Sequence, residues 1–361
     1  MRIELLVIIL LMIIFYSYHS NINTDSGKVW YQCPGKTTKK LLKKSLIKNG
    51  INRTHNKNSW DIYVPCSNTK SEMKNLLINN PDQIVMMVSN NWIIGTKKYL
   101  WTVLKNAYGR DFCSTLIPRT YIMPEDIKYF DKEYDKSKMY ILKQEKQRQE
   151  GLYLSKSKTD ILNKTKNGLF KVVQEYEPKC YLYKGHKINI RIYVLLVCNK
   201  RNIKAYVYDD GIISYTKNKY KPNSLDFDLS IASFYTSQPL YNKGWPITIN
   251  EFKKEYEKEG HIWENLFSRI KRNLYYVTKA VRNKICKKKS TSNNITCELF
   301  GADFILDDQH NVKILEMNKG PGMSPFKDED KRMRTKLQED ILEIVGIKKN
   351  KSIDNGFEQI N

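Results

Sequence analysis

The chain is short of acidic residues, has no closely paired cysteines, shows no internal repeat and contains no apolar run of ordinary membrane-spanning length. Its 361 residues carry 62 Lys and Arg against 38 Asp and Glu, a formal net charge of +24. A surface with that deficit of acid draws in polyanions. Three partners qualify: nucleic acid, an anionic membrane or an acidic protein segment. Nucleic acid is not expected, because zinc-finger spacing, RNP-type motifs and a single basic helix are all missing. The seven cysteines (33, 66, 113, 180, 198, 286, 297) form no CxxC pair, are odd in number and are irregularly spaced. That argues against a disulfide framework or a zinc site and points to a reducing compartment. Cys198 and Cys297 fall in apolar strand runs and are expected as buried thiols. The longest apolar run, residues 3–18, is broken by Glu4 and Ser17 and falls short of the roughly 20 residues of a full span. With Arg2 before it and Lys28, Lys36, Lys39 and Lys40 after it, the positive-inside bias gives a short membrane anchor at residues 3–18 and a cytoplasmic body.

The length allows two or three packed subdomains. Residues 1–27 read as anchor and linker, and 28–125 as an N-terminal α/β domain. In that domain Val29–Tyr31 and Trp60–Val64 are strands, and 96–108 is a helix on the spacing of Leu100, Leu104 and Ala107. Residues 126–186 form a central subdomain with strands at 139–143, 151–154 and 169–176 and a helix at 157–166. Residues 187–347 form a C-terminal subdomain. There Lys187–Cys198 is a long strand, Tyr208-Asp209-Asp210-Gly211 is a hairpin turn, and 249–285 is an amphipathic helix broken at Gly260. A last helix covers 328–345, and the tail from 348 is expected to be disordered. The fold class is α/β (α+β) with mixed and antiparallel sheets.

Two apolar runs near the C-terminus each carry hard oxygen ligands that core packing does not require. Asp303 sits inside Leu299–Leu306, and Glu316 and Asn318 close Ile314–Asn318. Residues two apart on a strand share a face, so Glu316 and Asn318 point the same way. Two carboxylates and an amide oxygen from adjacent strands suit Mg²⁺, which takes octahedral oxygen ligands at roughly 2.1 Å. Lys187 and Arg191 are four apart on one strand and share a face too, and an Arg fork pairs bidentately with phosphate or carboxylate.

Leu299-Phe300-Gly301-Ala302-Asp303-Phe304 and Leu315-Glu316-Met317-Asn318-Lys319-Gly320-Pro321 together resemble the closing signature of the tubulin–tyrosine ligase-like family, a branch of the ATP-grasp enzymes. Further blocks of the family stand upstream in the same order: Pro118–Pro124, Met139–Lys143, Val172–Tyr176 and Leu182–Val194. The resemblance covers about residues 28–345. It implies an ATP-grasp fold with N-terminal, central and C-terminal subdomains. It implies an ATP- and Mg²⁺-dependent ligase that adds a free amino acid (tyrosine, glutamate or glycine) to an acidic protein tail such as that of tubulin, through an acyl phosphate. By the same resemblance Lys143, Gln174, Glu175, Tyr176 and Lys187 hold ATP, Lys187 and Arg191 act in catalysis, and Asp303, Glu316 and Asn318 hold the metal. Lys97 or Lys98 matches the family's N-terminal-domain lysine. Several positions depart from the family pattern. Gln144 replaces a proline, the Gly-rich loop is reduced to Arg148-Gln149-Glu150-Gly151, Asn189 replaces an Asp, Ser214 stands where a basic residue is usual, and Tyr235-Thr236-Ser237 replaces Leu-Thr-Asn. These departures leave the amino acid open. They also keep a second reading, a non-catalytic relative that binds nucleotide or acidic tails.

Overall fold

The structure, a computed structural model, describes residues 27–35, 39–145, 151–200, 202–348 and 354–360. In the N-terminal part four short strands run parallel: β1 (Val29–Tyr31), β2 (Asn52–Thr54), β3 (Ile62–Tyr63) and β4 (Ile84–Val85). The helix Lys97–Tyr108 forms as its periodicity demands, burying Leu100, Trp101, Val103 and Leu104. In the centre β5 (Thr120–Ile122), β6 (Tyr140–Lys143), β7 (Leu152–Ser155) and β8 (Val172–Glu175) make an antiparallel sheet in the order β5-β8-β6-β7. Tyr121, Phe130, Tyr140 and Ile161 give it a core of its own. Because β5 pairs with β8, residues 120–122 belong to this sheet rather than to the N-terminal domain.

The C-terminal part supplies β9 (Leu182–Tyr183), β10 (His186–Asn199), β11 (Asn202–Thr216), β12 (Ala232–Ser233), β13 (Ile295–Leu306), β14 (Val312–Lys319) and β15 (Phe357–Gln359). The large sheet runs β12-β11-β10-β13-β4-β3-β1-β2, with β14 on β13, β15 on β11 and β9 on β10. β13 is the joint. Its Ile295 and Thr296 pair in parallel with β4, and its later residues pair with β14. The N-terminal and C-terminal parts are therefore one sheet, and the cleft-lining strands take their orientation from it. Ile188, Ile190 and Ile192 face a single core shared with Phe252, Leu266 and Ile270. That leaves Lys187, Asn189, Arg191 and Tyr193 on the opposite face of β10.

Several expectations change. Tyr208-Asp209-Asp210-Gly211 is not a hairpin turn. β10 and β11 pair as far as Asn199 with Asn202, so the hairpin closes beyond that pair, and Tyr208–Asp210 are extra residues bulged out of β11 opposite Tyr193. The Asp-Gly pair is needed there for two other reasons. Asp210 accepts from Gly211 N at 2.7 Å and from Asn250 N and Nδ2 at 3.1 and 2.8 Å, tying down the start of the helix Ile249–Lys258. A Cβ on Gly211 would lie 2.0 Å from Arg191 O. The expected break at Gly260 is present: φ is 85° there, and a second helix runs from Trp263 to Val281. The tail is not disordered throughout, since β15 pairs with β11. Asp340 anchors it by accepting from Gly356 N at 3.1 Å.

The expectation of unpaired cysteines is overturned as well. Cys33–Cys66 and Cys198–Cys286 are disulfides, with Cα separations of 5.6 and 6.3 Å, inside the range such bonds span. Partners 33 and 88 residues apart leave no local spacing to read. Cys113, Cys180 and Cys297 are buried free thiols. Glu72 lies near Cys33 and Cys66, whose sulfurs are joined to each other and offer no thiolate to a metal. Both oxygens of Glu72 are taken by Tyr63 OH and by the backbone N–H groups of Cys66, Ser67 and Asn68.

The membrane anchor is withdrawn. Among the described residues no helix is long and apolar enough to cross a membrane. Residues 3–18, on which that expectation fell, lie outside the described residues.

The pairing predicts a thiol count. Under denaturing, non-reducing conditions three of the seven cysteines should react with a thiol reagent. Seven reactive thiols would contradict the two pairs.

Candidate active site

The antiparallel register of β10, β13 and β14 builds the site. Arg191 lies opposite Asp303 on β13, and Asp303 lies opposite Glu316 on β14. Past that pair the register shifts, so Leu315 is an extra residue and Phe304 pairs with Ile314. A bulge re-aims the side chains beside it. Here Leu315, Glu316 and Asn318 all line one cleft of about 640 Å³. The cleft lies between the two sheets, and Ile141, Lys143, Leu152 and Tyr176 wall it from the central subdomain.

Arg191 grips Asp303 bidentately, with Nε to Oδ1 at 2.7 Å and Nη2 to Oδ2 at 2.6 Å. Gly301 makes room for it, since a Cβ there would stand 3.3 Å from Arg191 Cδ. The Asn318 amide bridges the two acids through Nδ2, at 3.1 Å to Asp303 Oδ2 and 3.0 Å to Glu316 Oε1. Lys97 Nζ lies 3.4 Å from Glu316 Oε2. Burial opposes charge on Glu316, yet Lys97, Lys143, the Asn318 amide and Arg191 hold its carboxyl down at about 2. Burial pushes the Asp303 carboxyl up despite Arg191, and the Glu316 charge adds to the rise.

The three expected metal ligands fit a small hard cation. Two carboxylates meet at one amide, and turning that amide end for end would offer Oδ1 in place of Nδ2, giving three oxygens facing one point. A cation there would relieve the repulsion between Asp303 and Glu316.

The nucleotide-side residues converge as well, with differences in role. Lys143 is buried and donates to Gln174 Oε1 at 2.8 Å, while Gln174 Nε2 donates to Thr120 Oγ1 at 2.9 Å. Gln174 therefore aims Lys143. The Glu175 side chain pairs with Lys138 at 3.0 Å, and its backbone N–H donates to Arg119 O at 2.8 Å. Lys187 Nζ sits 3.8 Å from the Tyr176 ring centroid, and Tyr176 OH donates to Ser230 O at 2.6 Å. Burial lowers both Lys143 and Lys187 to about 8.

Of the two candidate N-terminal lysines, Lys97 reaches the site and Lys98 pairs with Glu125 at 2.5 Å. Asn189 faces Ser214 across the strands, and its buried Oδ1 has no partner. Ser237 is structural: its hydroxyl accepts from Tyr215 N at 2.6 Å and donates to Tyr215 O at 3.1 Å. Arg148, Gln149 and Glu150 lie outside the described residues. Ile305, Lys39, Lys319 and Arg334 also line the cleft. Period-two alternation from Asp303 marks Ile305; no local pattern marks Lys39 or Arg334.

Two sheets closing on a cleft, with an acid–amide set on adjacent antiparallel strands and Lys143 on the facing sheet, make an ATP-grasp-like fold. Residues 74–353 match the model of the tubulin-tyrosine ligase family, and the chain belongs to that family. It is 27% identical over 255 residues to a probable beta-tubulin polyglutamylase of Tetrahymena thermophila, covering 63% of this chain and 21% of that protein. It is 29% identical over 182 residues to the probable tubulin polyglutamylase TTLL9 of Rattus norvegicus, covering 48% and 38%. It is 24% identical over 339 residues to the tubulin monoglutamylase TTLL4 of Homo sapiens, covering 84% and 27%. The chain thus spans about a fifth to two fifths of these relatives.

The two lysines predict a pH dependence. A lysine lowered to about 8 is charged below that pH and neutral above it. An anion in the cleft favours the charged form, so affinity for inorganic triphosphate should be flat up to about pH 7.5. It should then fall by up to about tenfold per unit for each lysine above pH 8. Calorimetry across this range checks it; an affinity unchanged up to pH 9.5 would contradict it.

Proposed function

We propose that the chain is an ATP- and Mg²⁺-dependent ligase that joins a free amino acid to an acidic protein tail, with the tail of tubulin as the first candidate. The observation that carries this reading is the meeting of Asp303, Glu316 and Asn318 with Arg191, Lys97 and Lys143 in one cleft. Asp303, Glu316 and Asn318 would hold Mg²⁺, which would shield the phosphates and polarise the one being transferred. Lys143 and Lys187 would place charge against the nucleotide, and the hinge Gln174–Glu177 would take its base. Arg191 is aimed by Asp303 at the point where charge moves, so its stabilisation needs little reorganisation during the reaction. In the proposed route the γ-phosphoryl group of ATP passes to a carboxylate of the tail with release of ADP, and the neutral amine of the amino acid then attacks the acyl carbon, forming the amide and releasing phosphate and a proton. The named relatives, polyglutamylases and a monoglutamylase of tubulin, support an acidic tail as acceptor. The charge of +24 suits that acceptor.

Asn189 and Ser214 favour one second reading, a relative that binds nucleotide without turnover. Both readings are tested by supplying microtubules, Mg-ATP and separately labelled tyrosine, glutamate and glycine. The wild type should transfer one label, and Glu316→Ala should lose at least about a hundredfold while keeping its fold by circular dichroism. Mg²⁺-dependent nucleotide binding without transfer would support the second reading, and equal transfer by the variant would overturn the metal assignment. Transfer should also fall severalfold as ionic strength rises from about 0.02 to 0.2 M, because the Debye length shrinks to under about 10 Å. A rate indifferent to salt would mean that the surface charge does not steer the acceptor.

A further inference from the structure

Along β10 the cleft runs from Lys187 to Tyr193, with Arg191 between them. Lys187 marks the end against Tyr176. Tyr193 pairs with Gly301, and a Cβ on Gly301 would touch Pro321 at 3.2 Å, so the turn Gly320-Pro321-Gly322 closes the other end. Two cations hold that turn. Lys39 Nζ donates to Gly320 O at 3.0 Å and to Pro321 O at 2.7 Å. Arg334 Nη1 donates to Gly322 O at 2.5 Å. Three successive carbonyls of one turn thus gather a lysine and an arginine from opposite ends of the chain, and both side chains line the cleft.

Arg334 has an acid partner, whereas Lys39 has none among the described residues. Arg334 Nε donates to Asp330 Oδ2 at 3.0 Å, and that acid also accepts from Phe326 N and Lys327 N. Lys39 has carbonyl partners only among the described residues. An ammonium has three donors, so two bonds leave one to spend. Desolvation and repulsion from Arg334 hold Lys39 below its ordinary value. With Asp330 answering Arg334, the wall keeps one uncompensated positive charge, that of Lys39, which an anion beside it would balance. The turn begins two residues beyond Asn318, which places the pair roughly 7 to 13 Å from the metal set along the strand. One small substrate can span that distance. Lys39 also precedes the residues matched to the family, 74–353.

We propose that Lys39 and Arg334 form a carboxylate subsite at the Tyr193 end of the cleft, holding a carboxylate of the free amino acid or of the acidic acceptor while reaction occurs at Arg191. This inference rests on the ligase reading. The subsite positions one substrate and leaves nucleotide binding to Lys143 and Lys187.

The test uses the full chain saturated with Mg²⁺ and a non-hydrolysable ATP analogue. Calorimetry measures L-glutamate, its two monoamides and a glutamate-rich peptide against wild type, Lys39→Met and Lys39→Arg. Lys39→Met should weaken glutamate or the peptide at least about tenfold, with affinity for the ATP analogue unchanged. Lys39→Arg should stay within about threefold of wild type. Loss for free glutamate assigns the subsite to the donor, and the monoamide that has already lost this affinity names the carboxylate; loss for the peptide assigns it to the acceptor. Equal affinities in wild type and Lys39→Met, a parallel loss of the ATP analogue, or no carboxylate binding by the wild-type nucleotide complex would each overturn the proposal. Failure of the wild type to bind the Mg–nucleotide analogue at all would instead sink the ligase reading beneath it.

Discussion

The Arg191–Asp303 pair is the contact from which the cleft is laid out. It forms because β10 and β13 pair in one register, and a slip of one residue would leave the two side chains on opposite faces of the sheet. Asp303 is shared. Arg191 holds its two oxygens, Asn318 reaches one of them, and Glu316 lies opposite on β14. Two carboxylates brought this close repel, and here Arg191, Lys97 and Lys143 surround them with charge of the other sign. Removing one partner from such a partly buried set costs several kcal/mol, on the order of 3 to 5, because the rest is left uncompensated.

The N-terminal domain is part of this site. β13 carries it on one edge through β4 and carries the acid-bearing β14 further along. Lys97 enters the cleft from a helix of that domain, and Lys39 enters just ahead of the helix Lys40–Lys48. Cations from the N-terminal part and from β10 therefore depend on one continuous sheet for their spacing, and Lys143 faces them from the central sheet. The burial of Lys143 and Lys187 brings both to about 8, low enough to respond to the charge of a ligand.

What could be read from the sequence was whatever has a short period or a local signature. Asp303, Glu316 and Asn318 stood out because acids inside apolar strand runs have no packing role, and strand alternation put Lys187 and Arg191 on one face. The amphipathic helices and the break at Gly260 were legible from spacing. What escaped depends on contacts between distant segments. Lys39 finds its carbonyls 281 and 282 residues away, and Arg334 sits in a helix whose pattern marks it as ordinary surface. The Asp209-Asp210-Gly211 segment carries turn chemistry, yet tertiary pairing uses it as a bulge that feeds a helix start. The disulfides pair cysteines too far apart for spacing to report, and the choice between Lys97 and Lys98 needed the helix orientation. The family resemblance supplied the expectation that these residues hold nucleotide, and the contact of Gln174 Oε1 with Lys143 was not legible in the sequence.

The most direct test of this account is a crystal structure grown with Mn²⁺ and a non-hydrolysable ATP analogue, read by anomalous scattering. The account places the Mn²⁺ peak between Asp303 and Glu316, with the Asn318 oxygen turned inward and ligand distances of about 2.2 Å. A metal held elsewhere, or nucleotide bound with Asn318 Nδ2 still bridging the two acids, would contradict it.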